Sequence, residues 1–90
     1  MEFEMLIKEI FNFQDGRTVF VGDISGENKF IKSCNCELII NDQLFSKIHV
    51  EGEMLPSGNK SGLRSLSTTD KINISEVPYK RVTVILRCKS

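Results

Sequence analysis

The chain has no phosphate-binding loop. No Gly-x-x-x-x-Gly-Lys-Ser/Thr pattern occurs in its 90 residues, so nucleotide hydrolysis has no motif to rest on. It has no apolar run near the ~20 residues that a membrane-spanning helix needs. Its amino terminus, Met1-Glu2-Phe3-Glu4, is acidic where a secretory leader is basic. Histidine occurs once and proline twice, and no stretch of useful length shows helical periodicity. Three cysteines, an odd number with no export signal, lead to the expectation of a reducing cytoplasm and no disulfide framework. The Met1 start leads to the expectation of a complete small protein, one domain spanning 1–90.

What is present is ordinary for a globular chain: 40% hydrophobic and 27% charged residues, at a formal net charge of zero. The charge is unevenly spread. Residues 1–45 carry eight acidic residues (Glu2, Glu4, Glu9, Asp15, Asp23, Glu27, Glu37, Asp42) against four basic ones, and residues 46–90 carry four against eight. Such asymmetry can mark an interaction surface.

Phe3 to Ile24 reads as a strand, a tight turn and a returning strand. Phe3, Met5, Ile7, Phe11 and Phe13 share one parity and Glu2, Glu4 and Lys8 the other, which points the first set toward a core. Glu9 and Ile10 break the alternation, and that is where a bulge is expected. Asp15-Gly16 supplies the turn, and Thr18 to Ile24 is rich in β-branched and aromatic residues.

This stretch resembles the opening of the second domain of translation GTPases of the elongation factor Tu type. The matching residues are Phe3, Met5, Ile7, Ile10, Phe11, Phe13, Thr18, Val19 and Gly22, followed by Ile31–Ile40 where the family has an acidic, valine-rich strand. The turn reads Asp15-Gly16-Arg17-Thr18, with the arginine one place off the family's register, and Ser33 or Cys34 stands in place of a turn glycine. The resemblance covers roughly the first half of the chain. It implies a β-barrel and, since that domain touches the acceptor end of aminoacyl-tRNA, it implies a contact with RNA.

The rest of the chain continues the pattern of short strands. Ser25-Gly26-Glu27-Asn28 reads as a loop, with Phe30 and Ile31 turned inward after it. Cys36 to Ile40 is a buried strand, and Asn41-Asp42 the next turn. Leu44, Ser46, Ile48 and Val50 alternate with Phe45, Lys47, His49 and Glu51, and the second set faces out. Ser57 to Gly62 is a polar loop, Leu63 to Leu66 a short strand, and Ile72, Ile74 and Val77 cover an end of the fold. Lys80 to Cys88 is the last strand, with Val82, Val84, Leu86 and Cys88 on one face. The fold class expected is all-β: a small six-stranded closed Greek-key-like barrel similar to elongation factor Tu domain 2.

Three constellations could carry chemistry. Cys34, Cys36, Cys88 and His49 would complete a set of four zinc ligands, but the paired knuckles of a structural zinc site are missing, and free cysteine also behaves as a small buried hydrophobe. Cysteine with His49 as base needs a low-pKa thiolate within reach of the imidazole and an orienting carboxylate, and His49, the one histidine, sits on the polar face of its strand, where it reads as solvated. Glu51 and Glu53 are a same-face carboxylate pair with no cleft to split their pKa values. Each is read as structural or solvated, so no catalytic residue, metal or cofactor is expected and the chain is expected not to be an enzyme. Binding surfaces remain. The candidates are Arg17, Phe45, Lys60, Arg64, Tyr79, Lys80 and Arg81, with Leu6 and Ile85 on outward parities. The reading is a non-enzymatic bacterial cytoplasmic module that binds a protein, for example an immunity or accessory protein masking a toxin or a translation component. The alternative is an RNA (tRNA)-binding module using the basic carboxy-terminal half. A third, weaker alternative is a cysteine-based metal protein or enzyme.

Overall fold

The computed structural model describes residues 2–26, 31–54, 63–72, 77 and 79–88. Lys60, Phe30 and Ile74 lie outside the described residues. The strands are β1 (Phe3–Asn12), β2 (Thr18–Ser25), β3 (Cys34–Ile40), β4 (Gln43–Glu53), β5 (Arg64–Thr68) and β6 (Val84–Cys88). All pair antiparallel and close in a ring of order β1-β2-β5-β4-β3-β6. The all-β expectation holds. The closing strand, β6, is five residues long and pairs with β1 on one side and β3 on the other.

Two turns fix the hairpin registers. In the first, Asp15 Oδ1 accepts from the Arg17 backbone N–H at 3.0 Å, and Gly16 takes φ 95°, a conformation that favours glycine. In the second, Asn41 and Asp42 both adopt positive φ (51° and 67°), the pair of left-handed residues that a two-residue β-hairpin turn requires.

Three irregularities set which side chains face in. In β1 the register moves from Ile7↔Gly22 to Glu9↔Val21, so the expected bulge is present. One extra residue reverses parity. Ile10 enters the core opposite Phe20, while Phe11 and Phe13, expected inside, are turned out and left 47% and 44% exposed. In β4, Leu38↔Ser46 is followed by Ile39↔Leu44, so Phe45 is the extra residue and Leu44 faces out beside it, contrary to the strict alternation read from the sequence. At the far end of β4, Glu51 is the extra residue, and the pairing with β5 moves from Val50↔Thr68 to Gly52↔Ser67. The last strand is also shorter than expected. Lys80, Arg81 and Val82 form a turn and pairing begins at Val84.

The core is the inside of the ring. Phe20, Met5, Leu38, Leu66, Leu86, Val50 and Val84 are fully buried there. Ile31 and Val77, from connecting segments, are buried against them and Ile72 packs alongside. Thr68 is a fully buried polar residue beside this core. Its hydroxyl donates to the His49 carbonyl at 2.6 Å and accepts from the Asp70 N–H at 3.1 Å, which offsets its desolvation. A cluster of this kind is sensitive to truncation: Phe20→Ala is expected to cost about 3–5 kcal/mol, read as a lowered denaturant midpoint at unchanged slope.

Candidate interaction surface

The ring registers place side chains of adjacent strands in rows on its outer face. Leu6 stands opposite Ile85, Ile85 opposite Ile39, and Ile39 opposite Leu44. Four aliphatic residues therefore form one band across β1, β6, β3 and β4. Phe45, exposed beside the bulge-turned Leu44, extends it. Ile39 is buried beneath its neighbours, whereas Leu6, Leu44 and Phe45 are 38%, 56% and 45% exposed. Large exposed apolar groups in one continuous band mark an interaction surface more strongly than the same residues scattered.

The next row on the same face is ionic. Glu4 stands opposite Arg87, Arg87 opposite Glu37, and Glu37 opposite Lys47, so charge alternates in sign from strand to strand. Arg87 Nε donates to Glu4 Oε2 at 2.6 Å. An apolar band bordered by paired charges has the composition of an interface core beside its polar rim.

The residues singled out from the sequence do not assemble into one surface. Arg17 is exposed, donates from Nε to Asp15 Oδ2 at 2.8 Å and lies 6.0 Å from the Phe13 ring centroid. The bond from the Arg17 backbone N–H, and then the guanidinium, hold the Asp15 carboxyl below its ordinary pKa. Tyr79, expected to face out, is half-buried against the core, and its hydroxyl donates to Glu9 Oε2 at 3.4 Å. Lys80 covers its ring at 5.8 Å, and Arg81 is exposed in the same turn. Arg64, expected on the binding face, is a structural residue. Its Nε and Nη2 donate to both carboxylate oxygens of Glu53 at 2.7 and 2.6 Å, in a pair whose side chains are 21% and 6% exposed. Sequence parity already pointed Leu6, Ile85 and Phe45 outward. Ile39 stands outward by the plain alternation of β3, between the core-facing Leu38 and Ile40, whereas Leu44 was missed because its orientation follows from the β4 bulge, for which the sequence carries no glycine or turn signal.

The Glu51–Glu53 carboxylate pair does not form. Glu51 is exposed and accepts from the Thr69 hydroxyl at 3.1 Å, while Glu53 is enclosed by Arg64 and also accepts from the Ile31 N–H at 3.0 Å. Hydrogen bonding from Arg64 holds the Glu53 carboxyl below its ordinary value against the opposing effect of burial. Its stabilising contribution is therefore complete above the usual carboxylate range, about pH 4–5, and is lost as pH falls through the depressed folded value. Unfolding free energy is expected to fall on acidification from pH 6 to pH 3, less steeply in Glu53→Gln; equal slopes from denaturation at both pH values would contradict this.

The histidine and the cysteines are also separated. His49 faces out, its Nδ1 donating to Asn35 Oδ1 at 2.8 Å and its Nε2 lying 3.1 Å from Ser33 Oγ. The three cysteines face in and cluster together, none in a disulfide. Burial, and then the neighbouring thiols, push Cys34 up to about 11 and Cys36 higher still, so neither is poised as a thiolate nucleophile.

No family model, curated protein or solved structure matches this chain. No helix among the described residues is long and apolar enough to cross a membrane.

Proposed function

We propose that this protein is a non-enzymatic cytoplasmic module that binds a partner protein through the outer face of β1, β6, β3 and β4. The observation that carries the reading is the band Leu6–Ile85–Ile39–Leu44 with Phe45, bordered by the alternating row Glu4–Arg87–Glu37–Lys47. The apolar band supplies the area removed from water, and the charged row fixes orientation and rejects partners of the wrong pattern. Each described strand has two strand neighbours, so the partner packs against the face and does not add a strand to an edge. A protein that masks a toxin or a translation component fits this description, as does a barrel of the elongation factor Tu domain 2 kind. In support of that kinship stand the six-stranded ring and the β1–β2 hairpin whose residues carry the resemblance.

Leu44→Asp and Phe45→Asp test the surface directly. Both side chains are largely solvated in the free protein, so thermal stability is expected to stay close to wild type. Partner affinity is expected to drop about tenfold or more for each. Wild-type affinity in both variants would remove this face from consideration.

RNA binding is the second reading, and one observation favours it: the β1 bulge exposes Phe11 and Phe13 at the hairpin end that carries Arg17. Exposed aromatics beside a cation are stacking platforms for unpaired bases. Binding of single-stranded RNA that weakens steeply with salt and is lost in Phe13→Ala would support it.

A further inference from the structure

We infer that Cys34, Cys36 and Cys88 form a binding site for a trivalent, thiophilic metalloid of the arsenite class. Cys36 and Cys88 stand directly opposite each other in the β3–β6 ladder. Cys34, two residues before Cys36, returns to the same inward face. The three sulfur atoms all lie within 4.8 Å of one another, and Cys34 Sγ is 3.7 Å from Cys36 Sγ. Three sulfurs bound to one central atom at roughly 2.3 Å stand about 3.5–4 Å apart, so small side-chain rotations bring the set onto a common centre.

The donor set selects the ion. Among the described residues no histidine or carboxylate joins the three sulfurs, and His49 is held on the outer face by Asn35 and Ser33. The four protein ligands of a structural zinc site are therefore not assembled. Charge decides between the remaining thiophilic ions. Cys36 and Cys88 are 3% and 2% exposed, and a net charge placed among them is costly. Three thiolates around a monovalent ion carry a net charge of minus two, around a divalent ion minus one, and around a trivalent one zero.

The proton balance agrees. Arsenous acid reacts with three thiols to form three As–S bonds and release three waters, each thiol proton leaving on a departing hydroxide. Arsenic stays trivalent and nothing is oxidised. No proton has to be surrendered to solvent in this exchange, as it must be when a divalent or monovalent cation binds to thiols. A cleft of about 280 Å³ adjoins the cluster at Cys88, lined also by Phe3 and by the charged Glu2, Glu4 and Arg87.

The test is a titration of the reduced full-length chain with sodium arsenite, read by native mass spectrometry, near-ultraviolet sulfur-to-arsenic absorption and thiol counting. The expected result is one arsenic per chain replacing three hydrogens, loss of all three reactive thiols, and affinity that is flat between pH 6 and pH 8. Cys34→Ser, at the half-exposed position, is expected to fold normally and to bind at least tenfold more weakly. Absence of an adduct, or a Cys34→Ser variant that binds like wild type, would overturn the site. Tight binding of Zn(II) or Cu(I) that strengthens with rising pH and excludes arsenite would overturn the choice of ion. This site is independent of the outer face, so Leu44→Asp is expected to leave arsenite binding unchanged.

Discussion

An Arg64→Met variant is expected to lose about 3 kcal/mol of unfolding free energy at neutral pH. The loss comes mainly from what is left behind. The Glu53 side chain, 6% exposed, loses both guanidinium bonds and keeps the one from the Ile31 N–H, and a carboxylate without its cation in that position is costly. Arg64 itself is 21% exposed, so water can reach the gap, and the figure belongs at the low end of what breaking an enclosed pair costs. The double variant Glu53→Gln/Arg64→Met removes both charges and is expected to recover most of the loss. Urea denaturation of the two variants and wild type reads all of this. If Arg64 were a solvated binding residue, the single variant would melt like wild type.

The second large effect is expected at Gly22. A Cβ built there would lie 2.0 Å from the Leu6 carbonyl oxygen, across the bulge where β1 presses against β2. The obstacle is backbone, so no side chain can rotate away. Gly22→Ala is expected to cost on the order of 3 kcal/mol or more, or to prevent the hairpin from closing. Gly16 provides the contrast. It has open space around it and only a positive φ, so Gly16→Ala is expected to cost about 1 kcal/mol of backbone strain. Denaturant midpoints of the two variants measure the difference. Similar small losses at both would mean that β1 and β2 do not approach as described.

The strands were legible in the sequence because alternation is a local signal. Phe3, Met5 and Ile7, Ile48 and Val50, and Val84, Leu86 and Cys88 all face in as their parity indicates. The turns at Asp15-Gly16 and Asn41-Asp42 were legible for the same reason. What was not legible lies downstream of bulges. The break at Glu9 was visible, but the reversal it imposes on Phe11 and Phe13 follows only when the pairing with Val21 and Val19 is known. Leu44 follows the same logic at a bulge with no sequence mark at all. The candidate surface was half legible. Leu6, Ile85 and Phe45 were pointed outward, but that they form one band depends on the order β1-β6-β3-β4. Charge type misled at Arg64. A basic residue in a basic half reads as surface, and its partner Glu53 lies on another strand.

The outer face of β1, β6, β3 and β4 is proposed to bind a protein. The most direct measurement is parallel capture from native lysate with the wild-type chain and Leu44→Asp, at low and high salt, with and without ribonuclease. The prediction is a polypeptide retained by wild type in near-equal amount, unaffected by ribonuclease, little affected by salt, and lost in the variant. Material retained equally by both chains, or removed by ribonuclease, would contradict the claim.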